Sequence, residues 1–385
     1  MTDEGPAGLP AEPGSSGRTA LDPRRPLSAE FRTAIAAELG AFVDARAPLL
    51  SAMGPELGPV LDLVRASLAG GKRLRPAFCV WSFLACGGQP DQLPAVLGVA
   101  ASLELLHVSA LVHDDLMDGS DLRRGQPAAH RRFDAMHRDS GWLGSPAAFG
   151  QAGAVLLGDL LLMWSVELAE RSGAEPAALA RALPLLQAMR TEVTCGQYLD
   201  VVAQAQPLRA EPGAVGQALE EASRVVEYKS ARYTVQRPCQ IGAALAGPDP
   251  ARLQALARYG SPLGRAFQYR DDVLGVFGDT DRTGKPAGDD LREGKRTVLV
   301  AHALAGADPA GRALLARRLG DPALDLAGVE ALRQVIVASG AREQVEAMIE
   351  AGHAQAVRAL EGTDLTPAGR TALVALAGLA ARREA

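Results

Sequence analysis

Aromatic side chains make up only 4% of this chain. That scarcity argues against a surface that stacks nucleobases. Cationic excess is missing as well. Against 40 Lys and Arg stand 45 Asp and Glu, a formal net charge of -5. No general nucleic-acid coat follows from that balance, although a local anion site is compatible with it. Cysteine is sparse: Cys79, Cys86, Cys195 and Cys239 form no CxxC pair. Their spacing suits reduced, largely buried thiols and a cytoplasmic location better than a disulfide framework. The opening MTDEGPAGLPAEPGSSGRTALDPRRP has no apolar h-region. Residues 1–26 are therefore read as a disordered tail. The most apolar later run, AVLLGDLLLMWSVELA, is interrupted by Asp159 and falls short of a clean membrane span. Strand alternation is scarce. GxGxxG, the Walker lysine motif, HExxH and GxSxG do not occur.

What the chain does have is helical periodicity. Hydrophobic residues make up 48% of its 385 positions, enough for a substantial core. Ser28 is placed to cap a helix whose apolar positions Phe31, Ile35, Leu39 and Phe42 recur at three- and four-residue intervals. A second helix is expected from Pro76 to about Gly87, and a third over residues 94–117. Further helices fit 147–171, 176–204, 214–245, 251–276 and five segments between 294 and 383. Gly, Pro and Asp separate them. No second-domain linker stands out, so residues 27–385 read as one all-α domain.

The chemistry concentrates in two acidic clusters. LVHDDLMDGSDLRRGQP places Asp114, Asp115 and Asp118 at the end of an apolar helix, followed by Arg123 and Arg124. On a helix, the three carboxylates can crowd one end-facing edge. Their mutual repulsion is offset by a hard divalent cation such as magnesium. A lone DDxxD also fits a solvated helix end, but the apolar approach and the basic pair favour a site. Asp121 suits a cap on the next turn. Downstream, FQYRDDVLGVFGD carries Asp271 and Asp272, with Asp279 seven residues on. Two acid-bearing helices facing across a cavity could hold several magnesium ions that bridge a polyphosphate. Basic groups complete an anion site: Lys72, Arg73 and Arg75 in GKRLRP, then Lys229, Lys285, Lys295 and Arg296.

GKRLRP, DDLMD with RRGQP, GQYLD, FQYRDD and GKPAGDDLREGKRT occur in one order over residues 70–300. In this the chain resembles the trans-polyprenyl diphosphate synthases, most of all the actinobacterial geranylgeranyl diphosphate synthases. The resemblance implies the isoprenoid synthase fold, an all-α bundle around a deep central cavity, and a homodimer. It implies substrates, isopentenyl diphosphate and an allylic diphosphate, and magnesium, with three ions when substrate is bound. By the same resemblance, Asp114, Asp115, Asp118, Asp271 and Asp272 hold metal. Arg123, Lys229 and Lys285 contact the allylic diphosphate. Lys72, Arg75, His107 and Arg124 hold the diphosphate of isopentenyl diphosphate. Gln268 orders the same region, and Phe267 shapes the reacting pocket.

One departure stands out. The second motif of the family carries another Asp where this chain has Gly275. A weakened metal site or a non-catalytic partner subunit is the alternative that this raises. Chain length is read from Ser109 and Ala110, five and four residues before the first Asp. Both are too small to floor a cavity for a ten- or fifteen-carbon product. A twenty-carbon product is expected, with longer chains as the alternative and Met163 and Trp164 as a deeper stop. Class I terpene cyclases share the DDxxD motif, but their Asn-Ser/Thr-Glu partner motif is not found over residues 265–285.

Overall fold

The first helix begins at the expected cap. Ser28 Oγ accepts a hydrogen bond from the Phe31 amide at 3.3 Å, and α1 (Ala29–Met53) buries Phe31, Ile35, Leu39 and Phe42. The computed structural model describes residues 21–382 apart from 209–212, 214, 279–287 and 322. Most of the expected N-terminal tail lies outside the described residues. Its last six residues do not behave as a tail: Trp81 Nε1 donates to the Pro26 carbonyl at 3.1 Å, tying that stretch to the core.

After α1 come α2 (Gly58–Leu68), α3 (Leu74–Ala85) and α4 (Leu93–Met117). Helix α4 is buried on every side through its middle, from Val96 to Leu106, as a central helix must be. Helices α1, α2 and α3 pack around it, as do α5 (Ala129–Asp139) and α6 (Pro146–Glu170). Among the described residues the only strands are β1 (Leu122–Arg123) and β2 (Gln126–Pro127), an antiparallel pair turning at Arg124-Gly125. Both turn residues have positive φ, 52° and 73°, the geometry of a two-residue hairpin.

The apolar run around residues 154–169 lies within α6, whose bounds match the helix expected over 147–171 to within one residue. By length and composition α4 and α6 could both cross a membrane, but 78% and 44% of their apolar windows are buried inside this fold. They pack extensively on each other. The expectation of a segment too short to span gives way to a helix that is long enough, with a little under half of its apolar window buried by neighbours.

The second half contains α7 (Pro176–Ala205), α8 (Val215–Val225), a π-helical segment (Val226–Gln236), α9 (Arg237–Ala246) and α10 (Pro250–Phe277). The single helix expected over 214–245 is thus divided by a wider turn. At its end the Arg237 amide donates to the Arg232 carbonyl, an i to i−5 bond, and Pro238 supplies no amide proton to restore the tighter ladder. Helices α11 (Asp289–Glu293), α12 (Val298–Gly306), α13 (Pro309–Arg318), α14 (Leu326–Ala338), α15 (Ala341–Ala359) and α16 (Pro367–Ala381) close the far side. Tyr259 anchors α10 to α16: its ring is fully buried and its hydroxyl donates to the Leu373 carbonyl at 2.7 Å.

Candidate active site

Helix α4 carries DDLMD at its C-terminal end, but the three carboxylates do not share one edge. Successive residues turn by about 100° around a helix. Asp114 Oδ1 accepts from Lys229 Nζ at 3.1 Å and from Gln197 Nε2 at 2.9 Å. Asp115 is buried and gripped by Arg123, whose Nε donates at 2.8 Å while Nη2 closes on the same oxygen. Asp118 stands 3.3 Å from Lys295 Nζ. The expected three-carboxylate cluster is therefore split among three cationic partners. Among the described residues, no group of three metal-ligating side chains converges unaided.

A cavity of about 370 Å³ lies beside this helix end. Asp114, Arg123, Asp200 and Lys229 line one side. Gln268, Asp271, Asp272 and Gly275 of α10 line another, and Asp289, Asp290, Lys295 and Arg296 complete the rim. Both acidic motifs therefore face one space, as their sequence expected.

GQYLD explains how Lys229 reaches that space. A Cβ on Gly196 would stand 2.3 Å from the Lys229 backbone nitrogen, so glycine permits α7 to touch the π segment directly. From the same stretch, Gln197 holds Asp114 and Asp200 Oδ2 accepts from Lys229 Nζ at 2.6 Å. Gln197, Asp200, Asp289 and Asp290 received no role from the sequence, and Lys295 and Arg296 were read only as members of a general anion site. Their signal was present in GQYLD and GDDLREGKRT, but only the fold shows where each side chain points.

The carboxyls differ sharply in proton affinity. Burial opposes ionisation of Asp114, yet Lys229, Lys295 and Arg123 outweigh it and hold that group at about 2. Asp118 is pushed up to about 6, first by burial and then by the charge on Asp114. Asp272 is pushed up to about 7, mainly by burial, with Asp290 adding to the effect and the Gln268 hydrogen bond opposing it. Burial disfavours the charge on Lys295, but Asp290, Glu293, Asp118 and Asp114 raise its proton affinity well above the ordinary value.

These features fit a hard divalent cation. Asp272 is 3% exposed, and among the described residues its Oδ2 has no hydrogen-bond partner. Lys295 is shared by Asp118, Asp290 and Glu293, at 3.3, 3.5 and 2.7 Å. Clustered carboxylate oxygens are the hard donor set that magnesium takes.

GKRLRP, Arg124 and His107 gather next to the cavity rather than on its lining, which takes Arg123, Lys229, Lys295 and Arg296. A Cβ on Gly71 would meet Arg124 Nη2 at 3.2 Å, so GKRLRP touches the hairpin turn. Arg73 is buried against Glu104 of α4 at 2.6 Å. Arg75 donates to Thr234 Oγ1 at 2.9 Å and lies over the Tyr233 ring, while its Nε has no partner among the described residues. His107 Nδ1 is 3.3 Å from Tyr233 Oη. Burial, then Arg75, Arg124, Arg123 and Arg73, hold the His107 imidazole neutral, well below its ordinary range. Lys72 is exposed at the edge of this group.

The remaining expected residues take varied positions. Ser109 is buried and donates to the Gly158 carbonyl of α6 at 2.7 Å, so its hydroxyl serves the α4–α6 contact. Ala110 is half-buried. Met163 points outward at 59% exposure, whereas its neighbour Trp164 is buried edge-on to Phe42. Phe267 is buried in the core and does not line the described cavity, while Gln268 bridges Ser230 and Asp272 at 2.5 and 2.7 Å. Asp121 accepts from Arg131 Nε at 2.6 Å and its carbonyl from the Ala128 amide, consistent with a turn role. Asp279 and Lys285 lie outside the described residues.

An all-α frame with two acidic walls beside a basic cluster defines an enzyme that handles diphosphates. The polyprenyl synthetase family model matches residues 60–336, and the chain belongs to that family, the trans-prenyltransferases that make prenyl diphosphates. A geranylgeranyl pyrophosphate synthase of Corynebacterium glutamicum, solved with isoprenyl diphosphate and magnesium, matches with a TM-score of 0.86. It is 38% identical, with 92% of this chain and 99% of that chain covered. The geranylgeranyl diphosphate synthase of Mycobacterium tuberculosis is 32% identical over 88% of each chain. A short chain isoprenyl diphosphate synthase of Methanothermobacter thermautotrophicus is 33% identical over 67% of this chain and 72% of the relative.

Proposed function

We propose that this trans-prenyltransferase performs magnesium-dependent condensation of isopentenyl diphosphate with an allylic diphosphate, and that its main product is the twenty-carbon geranylgeranyl diphosphate. The observation that carries the reading is the cavity between Asp114 and Asp271–Asp272, with Lys229 and Arg123 on its wall. Asp114, Asp118, Asp271 and Asp272 would hold magnesium, with Asp115 acting through Arg123. When bound, magnesium supplies Lewis acidity to the diphosphate oxygens of the allylic substrate. Lys229 and Arg123 neutralise charge as the allylic C–O bond breaks and its electron pair leaves with pyrophosphate. Lys72, Arg75, Arg124 and neutral His107 orient isopentenyl diphosphate. Its double bond forms the new C–C bond, and a proton passes to the departing pyrophosphate to restore an alkene. Buried side chains exclude the water that would otherwise capture the cation.

Small Ala110 on α4 and the geranylgeranyl names of two relatives support the product length. A homodimer through the outer face of α6 is part of the proposal. Val155, Leu156 and Met163 are 43%, 69% and 59% exposed there, an apolar surface suited to a second copy. Four free cysteines, three of them buried, agree with a cytoplasmic setting.

The test supplies purified protein with magnesium, isopentenyl diphosphate and, separately, dimethylallyl, geranyl or farnesyl diphosphate. Dephosphorylated products are identified by mass spectrometry. A dominant twenty-carbon alcohol is expected. A ladder of longer alcohols would replace the product assignment, and no condensation with any primer from folded protein would favour a partner-dependent subunit.

A further inference from the structure

Gly275 removes a carboxylate from the second acidic motif, and the fold fills that position from elsewhere. A Cβ on Gly275 would stand 1.9 Å from Asp290 Oδ2 and 2.5 Å from Asp290 Cγ. The Asp290 carboxylate therefore occupies the path that a side chain at 275 would take. Residue 275 lies three positions after Asp272 and four after Asp271, on the same face of α10. Asp290 comes from α11, fifteen residues further along, and lines the same cavity as Asp271, Asp272 and Gly275.

Acid clusters alone do not define a cation site. Here a second observation does: Asp272 is 3% exposed, lines the cavity and has an Oδ2 without a partner among the described residues. Lys295 does not satisfy Asp290 by itself. Its ammonium is 3.5 Å from Asp290 Oδ1 and is shared with Glu293 at 2.7 Å and Asp118 at 3.3 Å.

We propose that Asp290 supplies in trans-helical fashion the carboxylate absent at Gly275, acting with Asp272 as oxygen donors toward a divalent cation held on the α10 side of the cavity. This rests on the metal-dependent reading above. It makes Gly275 and Asp290 one functional unit: glycine opens the notch, and the aspartate of another helix enters it. A side chain at 275 would force the Asp290 carboxylate out of its present position.

Mn²⁺ titration with saturating inorganic pyrophosphate tests this without turnover, free Mn²⁺ being read by electron paramagnetic resonance. Asp290→Asn should lose the α10-side ion or weaken it about 10- to 100-fold, the range for a disturbed ligand shell. Gly275→Ala should weaken it too, because the new methyl displaces the Asp290 side chain while leaving its charge in the protein. The double variant Gly275→Asp with Asp290→Asn should return affinity to within a few-fold of wild type. Circular dichroism controls for folding. Unchanged Mn²⁺ binding in Asp290→Asn would overturn the inference. So would a loss that the double variant fails to restore, which would make Asp290 a positioning partner of Lys295. If the wild type itself binds no Mn²⁺ with pyrophosphate, the metal-dependent reading fails along with it.

Discussion

Asp114, Asp118 and Asp272 are one residue type with three proton affinities, at about 2, 6 and 7. Cationic neighbours decide the first, and burial decides the other two. Asp272 gives a direct stability test in metal-free protein. Its folded value of about 7 exceeds the ordinary carboxylate value near 3.9, so the folded state holds a proton that the unfolded state releases between them. That contribution is fully present below about pH 4 and is lost as pH rises through about 7. Asp272→Asn should therefore raise the melting temperature relative to wild type more at pH 8 than at pH 5, while abolishing turnover. A pH-independent difference in thermal scans would contradict the assigned cause. The sequence showed these acids as a pattern, but Asp115 looked equivalent to Asp114. Only the position of Arg123 separates a carboxylate facing the cavity from one committed to an arginine.

At the scale of elements, α4 organises the site through its middle and its C-terminal end. Glu104, near its middle, pairs with Arg73 at 2.6 Å, both side chains almost fully buried. That pair anchors Arg73, which caps α3 with a left-handed backbone at φ 57°. Glu104→Ala should cost about 3–5 kcal/mol in urea unfolding, because it strands a buried guanidinium. A change below about 1 kcal/mol would show that Leu68 O, which also accepts from Arg73, suffices. Nearer the acidic end, Ala110→Phe should shorten the product, to be read as chain length by mass spectrometry. An unchanged distribution would remove Ala110 from the growth path. Ser109 is the poorer probe, since a larger side chain there would break the α4–α6 contact.

Apolar periodicity made α1, α4 and α10 legible. Helix α5 was not: AHRRFDAMHRD is mostly polar, and its buried positions Ala129, His130, Phe133, Asp134 and His137 form only a narrow stripe. The π segment was equally hidden, because nothing in the apolar pattern marks where the ladder widens; it ends just before Arg237-Pro238.

For the whole molecule, the outer face of α6 is one surface that the fold leaves apolar among the described residues. Leu156→Glu should shift the protein from dimer to monomer in size-exclusion chromatography with light scattering. A wild type that already elutes as monomer would remove that proposal. Met163 belongs to this face and Trp164 to the core, although they are adjacent in sequence. An apolar run cannot reveal which of its residues faces the core and which a partner.

The sequence by itself determined the helical class, the order of the acidic and basic motifs, and membership in a diphosphate-handling family. Local periodicity and motif spacing carry that information along the chain. Tertiary structure alone decided which carboxylates face the cavity, how GQYLD seats Lys229, and that Asp290 fills the space at Gly275. Those outcomes depend on distances between helices that are far apart in sequence, and no local pattern encodes them.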